Sequence, residues 1–253
     1  MDKLDILKKA TKLSDPQKDI LHLIKLKCNI QKDILYACVY SSKFDGLGNK
    51  FSDLDVYVIV SDDKAYVKRL SFVLGNIPLD IEVISNKKIN KILQKNKYDL
   101  TDGDIKRLWR IKISMPVFKS LEKLDGIAHF DIAKLVFDLS NEKSYELEDD
   151  GNKMFKVENF ISSIECFRSS IIYSIKARGC LYDRVILKDK WLLYSFIKNN
   201  GYNNQQLAKR VEQLLVFPCV SKNNISSYNN NLATLAENLL FINKLDFNRK
   251  EKR

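Results

Sequence analysis

Histidine, glycine and proline are scarce in this sequence, and each shortage excludes a class of protein. His22 and His129 are its two histidines, so a zinc site or a Ser-His-Asp triad would depend on one of two isolated residues. The 8 Gly and 4 Pro exclude collagen-like and linker-dominated chains. The 5 Cys are odd in number and form no C-x-x-C pair, which is typical of a reduced cytoplasmic protein.

Long apolar segments are also missing. No run approaches the roughly 20 residues that cross a bilayer, and the first ten residues carry charges in place of a secretory signal. We therefore expect a cytoplasmic protein with no membrane partner. Its 253 residues are 45% hydrophobic and 30% charged, as in ordinary globular chains. The net charge of +11 suits a polyanionic partner such as a nucleotide or RNA, although an AT-rich genome gives the same excess of lysine.

The hydrophobic pattern changes once along the chain, near residue 122. Before that point it predicts strands at 34–40, 54–60, 79–84 and 112–118, and helices at 16–32, at 63–74 and from Thr101 through Trp109. Pro116 marks the last strand as an edge strand, because proline donates no hydrogen bond to a neighbouring strand. From residue 123 onward the apolar residues recur at helical spacing. The pattern predicts an α+β protein, with a small mixed-sheet domain at 1–122 followed by an all-α bundle at 123–253.

Two pairs of carboxylates stand on consecutive predicted strands. Asp53 and Asp55 are two residues apart where one strand begins, so both point to the same face. Asp80 and Glu82 repeat this spacing on the next strand, which is otherwise apolar. Carboxylates facing a core are unfavourable unless they are paired or bound to metal, and without His or Cys they favour Mg²⁺ or Mn²⁺. Either pair alone would also fit a plain turn or an exposed strand edge.

A serine-containing loop precedes the first pair of carboxylates. Ser42 lies eleven residues before Asp53, with Gly46 and Gly48 between them. This arrangement resembles the DNA polymerase β-like nucleotidyltransferase signature, in which a strand, Gly-Ser and a Gly-containing loop lead to Ser-Asp-x-Asp. The resemblance covers about residues 34–120 and extends to the later acidic strand. The helical half is similar only in kind to that of small bacterial aminoglycoside-type members.

The resemblance implies a metal-dependent enzyme with carboxylate ligands. Asp53, Asp55 and Asp80 would be the catalytic residues and would hold two Mg²⁺ or Mn²⁺ ions. Glu82 faces the same way as Asp80, and the sequence leaves open which of the two is the third metal ligand. The implied reaction is the transfer of an NMP from an NTP to an acceptor hydroxyl, with release of pyrophosphate.

The resemblance also implies a nucleotide site. Ser42 and, less directly, Ser41 would hold the triphosphate of an NTP, with ATP favoured. Lys190, near a helix start in the second half, would reach the same phosphates, although a solvated helix face explains this lysine equally well. The superfamily has glycine where this chain has Ser41, so a side chain stands where glycine would let the backbone approach the phosphate closely.

The class of acceptor is inferred from the distribution of charge along the sequence. A small-molecule or protein acceptor is slightly favoured over RNA or tRNA, because the chain has no compact basic run apart from its tail. A toxin-type enzyme that acts on RNA is the first alternative, and the net charge favours it. A nucleotide-binding protein with weak catalysis, caused by the serine at position 41, is the second.

Overall fold

The protein was analysed as a computed structural model, which describes residues 2–28, 33–49, 52–62, 64, 66–119, 127 and 130–251. The chain divides into two compact units, Met1–Phe130 and Asp131–Arg253. The predicted boundary at residue 122 lies outside the described residues. The first unit combines a mixed sheet with helices, and the described part of the second unit is helical, so the predicted α+β class is confirmed.

The first unit is built around a five-stranded sheet in the order β3-β4-β2-β1-β5. Its elements are α1 (Lys3–Thr11), α2 (Pro16–Lys27), β1 (Ile34–Tyr40), β2 (Leu54–Val60), β3 (Val67–Leu74), β4 (Ile77–Ser85), α3 (Asn86–Leu93), a 3-10 turn (Lys97–Asp99), α4 (Asp102–Ile113) and β5 (Met115–Lys119). β2 and β4 are parallel neighbours, whereas the other neighbouring strands are antiparallel. The parallel pair places the starts of β2 and β4 side by side.

The two faces of this sheet differ in chemistry. One face packs on α1 and α2 and is apolar; its central residues are Leu54, Val56, Val58, Val60, Leu79, Ile81 and Val83. Because side chains alternate along a strand, Asp55, Tyr57, Asp80 and Glu82 lie on the other face. α4 supplies charged side chains to that second face. The sheet therefore collects its carboxylates on one side.

Two strands have the bounds that the sequence predicts, and one predicted helix is wrong. β1 and β2 span 34–40 and 54–60 as expected. The segment 67–74 within the predicted helix 63–74 is the strand β3, and residues 63 and 65 lie outside the described residues. Gly75, with φ of 62°, and Asn76 connect β3 to β4 as a two-residue hairpin turn. Pairing with β4 therefore decides the structure of a segment whose pattern also fits a helix.

Other boundaries also differ from the prediction, and β4 spans Ile77–Ser85 instead of 79–84. α2 ends at Lys27 instead of residue 32, with Cys28 as its cap, and residues 29–32 lie outside the described residues. α4 runs to Ile113, past the predicted end at Trp109, so the last strand begins at Met115 instead of residue 112. That strand, β5, is an edge strand as predicted.

The second unit is helical throughout its described part. It consists of α5 (Ile132–Lys156), α6 (Phe160–Leu181), α7 (Asp189–Lys198), a helical turn (Asn200–Asn203), α8 (Gln205–Val211), a π-helical turn (Glu212–Val216) and α9 (Ile225–Glu251). α6 lies against both α5 and α9. Phe167, Ile171 and Ile175 are buried in its core. In the described part of the chain, every helix is too short or too polar to traverse a lipid bilayer.

Candidate functional site

Three carboxylates meet at the start of β2. Asp53 immediately precedes the strand, Asp55 is its second residue, and Asp80 of β4 lies beside Asp55 in the parallel register. One carboxylate oxygen of each residue lies within 4.8 Å of the other two. Such like charges repel each other. Because the ligand atoms are all carboxylate oxygens, the group suits a hard divalent cation such as Mg²⁺ or Mn²⁺. We call these three residues the carboxylate group.

A buried arginine contacts the carboxylate group from α4. Arg110 Nη1 lies 3.1 Å from Asp55 Oδ1 and donates a hydrogen bond of 2.8 Å to the hydroxyl of Tyr57. Its guanidinium also stands 5.1 Å from the ring centre of Tyr40. Burial works against the charged form, yet Tyr57 and Asp55 raise the pKa of Arg110. Arg110 therefore stays cationic and fixes the orientation of Asp55.

A hydroxyl on the neighbouring strand holds the third carboxylate. Ser71 of β3 is opposite Asp80 in the antiparallel register, and its Oγ donates a 2.7 Å hydrogen bond to Asp80 Oδ1. Asp80 is exposed, whereas Asp53 and Asp55 are half-buried. Asp80 is thus the most accessible member of the carboxylate group.

Glu82, the alternative third ligand, has other partners. It accepts a 2.9 Å hydrogen bond from Arg69 Nε and one from Arg107 Nε. Burial opposes ionisation, but Arg107 and then Arg69 hold the pKa of this carboxyl below its usual range. Glu82 lies two residues beyond Asp80, beside Tyr57 and beneath α4, and these arginines reach it there. It is not among the carboxylates that the structure brings within 4.8 Å of one another.

The two predicted phosphate-binding serines lie next to the carboxylate group. Ser41 is buried, and its Oγ donates a 3.1 Å hydrogen bond to the backbone carbonyl of Asp53. Ser42 Oγ donates a 3.3 Å hydrogen bond to Ser52 Oγ. Ser41 therefore fixes the backbone of a carboxylate residue.

The loop after these serines is closed on itself. The backbone carbonyl of Ser42 accepts hydrogen bonds from the N–H groups of Leu47 and Gly48, at 3.0 and 2.9 Å. A Cβ at Gly48 would lie 2.6 Å from the backbone nitrogen of Lys43, so a larger residue would open the loop. The close approach of Lys43 thus explains why one of the two loop glycines stands at position 48.

Lys190, the third predicted nucleotide-binding residue, belongs to the second unit. It is exposed near the start of α7, and its Nζ stands 5.5 Å from the ring centre of Trp191. Its contribution to nucleotide binding stays a prediction.

A cavity of about 320 Å³ opens beside Asp55 and Asp80. β2, β3, β4 and α4 form its walls, and its cationic side chains are Arg69, Lys106, Arg107 and Arg110. Sequence reasoning missed these residues because it placed Arg69 in a helix and examined α4 only for its cap. One signal was available: Lys106, Arg107 and Arg110 have the i, i+3 and i, i+4 spacing of a single helix face.

The fold thus combines a five-stranded mixed sheet with carboxylates that meet on its adjacent parallel strands. Among solved structures, the chain is similar to a nucleotidyltransferase-like protein from Exiguobacterium sibiricum 255-15. The TM-score is 0.54 and the identity 13%, over 91% of this chain and 76% of that chain. No protein-family model and no curated protein sequence matches the chain. The similarity is therefore one of fold alone, and it does not extend to the aminoglycoside-type subtype.

Proposed function

We propose that this protein is a metal-dependent nucleotidyltransferase, which moves an NMP from an NTP to an acceptor hydroxyl and releases pyrophosphate. One observation carries the proposal: Asp53, Asp55 and Asp80 converge within 4.8 Å on a sheet of nucleotidyltransferase fold. Placing three carboxylates so close together costs free energy, because like charges repel each other. A purely structural role would not explain that cost, whereas the binding of a cation would.

The metal ligands follow from the same geometry. We infer that Asp53, Asp55 and Asp80 hold two Mg²⁺ or Mn²⁺ ions, since their carboxylate oxygens are the ligands that hard cations prefer. We infer that Asp80, not Glu82, is the third ligand, because two arginines already bind Glu82. When bound, the ions would supply the positive charge that stabilises the attacking and leaving oxygens of an in-line displacement at phosphorus.

The residues around the carboxylate group would orient it. Ser41 fixes the backbone at Asp53, Arg110 holds one oxygen of Asp55, and Ser71 holds one oxygen of Asp80. Such positioning matters because a shift of about 1 Å in a reacting group can cost a hundredfold in rate. We infer that the Ser42 hydroxyl and, less directly, that of Ser41 contact the triphosphate, as the superfamily resemblance implies.

The nucleotide and acceptor are inferred less directly. ATP is our first candidate for the donor, because the sequence resembles the nucleotidyltransferase signature. Lys190 is a candidate contact for its phosphates. A small-molecule acceptor is our first candidate, because a cavity of about 320 Å³ has the volume of a small-ligand site. RNA is the second candidate, supported by the net charge of +11.

Label transfer tests the proposal. Each of the four NTPs, labelled at the α-phosphate, is incubated with Mg²⁺ or Mn²⁺ and with RNA, protein or small-molecule fractions of a cell extract. We expect label in one fraction with the unchanged protein and none with Asp53→Asn. Asp5→Asn is the matched control, since Asp5 is an exposed residue of α1 outside the carboxylate group. Absence of label from every fraction, with folded protein, would contradict the proposal.

A further inference from the structure

We propose that the cavity beside Asp80 binds a phosphate group of the acceptor, so that the acceptor is a phosphorylated molecule. This inference rests on the proposed function, because it assigns the acceptor of that reaction. It also departs from the aminoglycoside-type resemblance, since aminoglycosides are polycations and would be repelled by the charges described below.

The cavity becomes strongly positive once the carboxylate group holds metal. Its cationic side chains are Arg69, Lys106, Arg107 and Arg110, and its carboxylates are Asp55, Asp80 and Glu82. Two of these carboxylates belong to the carboxylate group, so bound divalent cations would offset their charge. The one that remains, Glu82, is shared by two guanidinium groups. The cavity wall then carries an excess of positive charge, which favours an anionic ligand.

Arg107 links the positive charge of the cavity wall to a second ion-pair cluster at the start of α4. Its Nε binds Glu82, and its Nη1 lies 3.3 Å from Asp104, which also binds Lys95 at 2.8 Å. Each of these two carboxylates therefore serves two cations. Three cations, Arg69, Lys95 and Arg107, thus share two carboxylates, Glu82 and Asp104.

Arg110 supplies a second, independent observation. It is 6% exposed and lines the cavity. Its Nη1 contacts Asp55 and Tyr57, whereas its Nη2 has no hydrogen-bond partner among the described residues. A buried N–H group without an acceptor is costly, by about 1 to 3 kcal/mol. Guanidinium groups suit phosphate oxygens in geometry and charge, and Arg110 adds its positive charge to the wall of the cavity.

The size and position of the cavity narrow the ligand further. A volume of about 320 Å³ fits a phosphorylated metabolite or one terminal nucleotide. A molecule whose phosphate lies on the arginines would bring its neighbouring hydroxyl towards Asp80, the exposed carboxylate. The shared chemistry is a phosphate close to a hydroxyl, whether it comes from a metabolite or from the end of an RNA.

The first test measures anion binding without turnover. Inorganic phosphate is titrated calorimetrically into the protein in the presence of Mg²⁺. We expect the double variant Arg69→Gln/Lys106→Gln to bind phosphate at least about tenfold more weakly than the unchanged protein, because the loss of even one charged contact has an effect of this size. The matched control is Lys64→Gln/Lys68→Gln, which removes equal charge from residues that do not line the cavity. Equal affinity in the two double variants, or no phosphate binding by the unchanged protein, would overturn the inference.

The second test identifies the source of the phosphate. Acceptor pools are treated with alkaline phosphatase or with RNase before label transfer. Loss of labelling after phosphatase supports a phosphorylated metabolite, and loss after RNase supports RNA as the source of the same anion. Labelling that survives both treatments would overturn the inference. If no pool is labelled at all, the proposed function fails, and the phosphate titration alone decides whether the cavity is an anion site.

Discussion

Each unit of the protein contains a cluster of charged side chains, and the two clusters are built on opposite principles. In the second unit, Arg178 is 2% exposed and every partner is complementary. Its guanidinium donates to Asp246 at 3.0 Å, to the side chain of Asn243 at 3.4 Å, and to the carbonyls of Gly201 and Tyr202 at 3.3 and 3.2 Å. The charge and the N–H groups of Arg178 therefore have their partners within the cluster, as buried charges in a stable fold require.

The carboxylate group in the first unit does the reverse. Asp53, Asp55 and Asp80 face one another, and the contacts from Ser71 and Arg110 orient them more than they neutralise them. A cluster of complementary charges stabilises a fold by itself, whereas a cluster of like charges needs an outside cation. The comparison therefore separates a structural site from a ligand site, and substitutions at the two should have different signatures.

The largest effect should come from the carboxylate group. We expect Asp53→Asn or Asp55→Asn to lower nucleotidyl transfer by at least about a thousandfold, because each removes a charge that the transition state requires. Stability should change by no more than about 1 kcal/mol, since repulsion between like charges is relieved. Label transfer and urea unfolding measure the two quantities. If Asp53→Asn lowered the free energy of unfolding by several kcal/mol, Asp53 would have a structural role, and the contrast with the Arg178 cluster would be lost.

The second largest effect should be on stability and should come from Arg178. We expect Arg178→Met to lower the free energy of unfolding by about 3 to 5 kcal/mol, because it leaves buried acceptors without their donor. Arg249→Met is the matched control: Arg249 lies 3.6 Å from the same Asp246 but is 77% exposed. Urea unfolding should show a change of at most about 0.5 kcal/mol for this control. Similar losses in both variants would contradict the account.

A carboxylate within the first unit allows the same comparison by pH. Asp104 caps α4 with Thr101 and binds Lys95. Burial opposes ionisation, but the bonds from Lys95 and Thr101 hold the pKa of Asp104 below its usual value of 3.8. Its stabilising effect is therefore present above that pH and is lost as the pH falls through the lowered pKa.

We accordingly expect Asp104→Asn to cost about 1 to 3 kcal/mol near neutral pH and progressively less below pH 3.8. Urea unfolding over a pH series measures the difference from the unchanged protein. Asp102→Asn, at an exposed position in the same first turn, should cost only about 0.3 to 1 kcal/mol. A cost of Asp104→Asn that does not shrink in acid would show that its charge contributes nothing.

The smallest effect should come from the hydroxyl that orients the third carboxylate. We expect Ser71→Ala to change stability by less than about 1 kcal/mol, since its hydrogen bond to Asp80 is exposed. Transfer should fall about tenfold, because Asp80 loses its fixed orientation. Ser71→Thr, which keeps the hydroxyl, should recover most of the activity. Full activity in Ser71→Ala would show that Asp80 needs no positioning.

Much of the fold could be predicted because local sequence determines it. β1 and β2 are rich in β-branched and aromatic residues and are mostly buried in the sheet, so their bounds follow from composition. The common face of Asp53 and Asp55 follows from strand alternation alone. β3 could not be distinguished from a helix, because its structure depends on pairing with β4 across the turn at Gly75.

The sequence predicted only part of the candidate site, for a similar reason. Alternation placed Asp80 and Glu82 on one face correctly, but it could not assign them different partners. Arg107, which binds Glu82, lies 25 residues further along the chain, on a helix that packs on the sheet. Such contacts depend on tertiary packing, which a pattern of residue types along one strand does not contain.

The most direct test of the central claim is the affinity of the protein for Mn²⁺, measured by electron paramagnetic resonance with and without an NTP. The account predicts that the unchanged protein and Asp5→Asn bind Mn²⁺ alike, and that Asp53→Asn binds it at least about tenfold more weakly. Added NTP should tighten binding in the first two proteins. Equal Mn²⁺ affinity in Asp53→Asn and the unchanged protein would contradict the claim that the carboxylate group is a metal site.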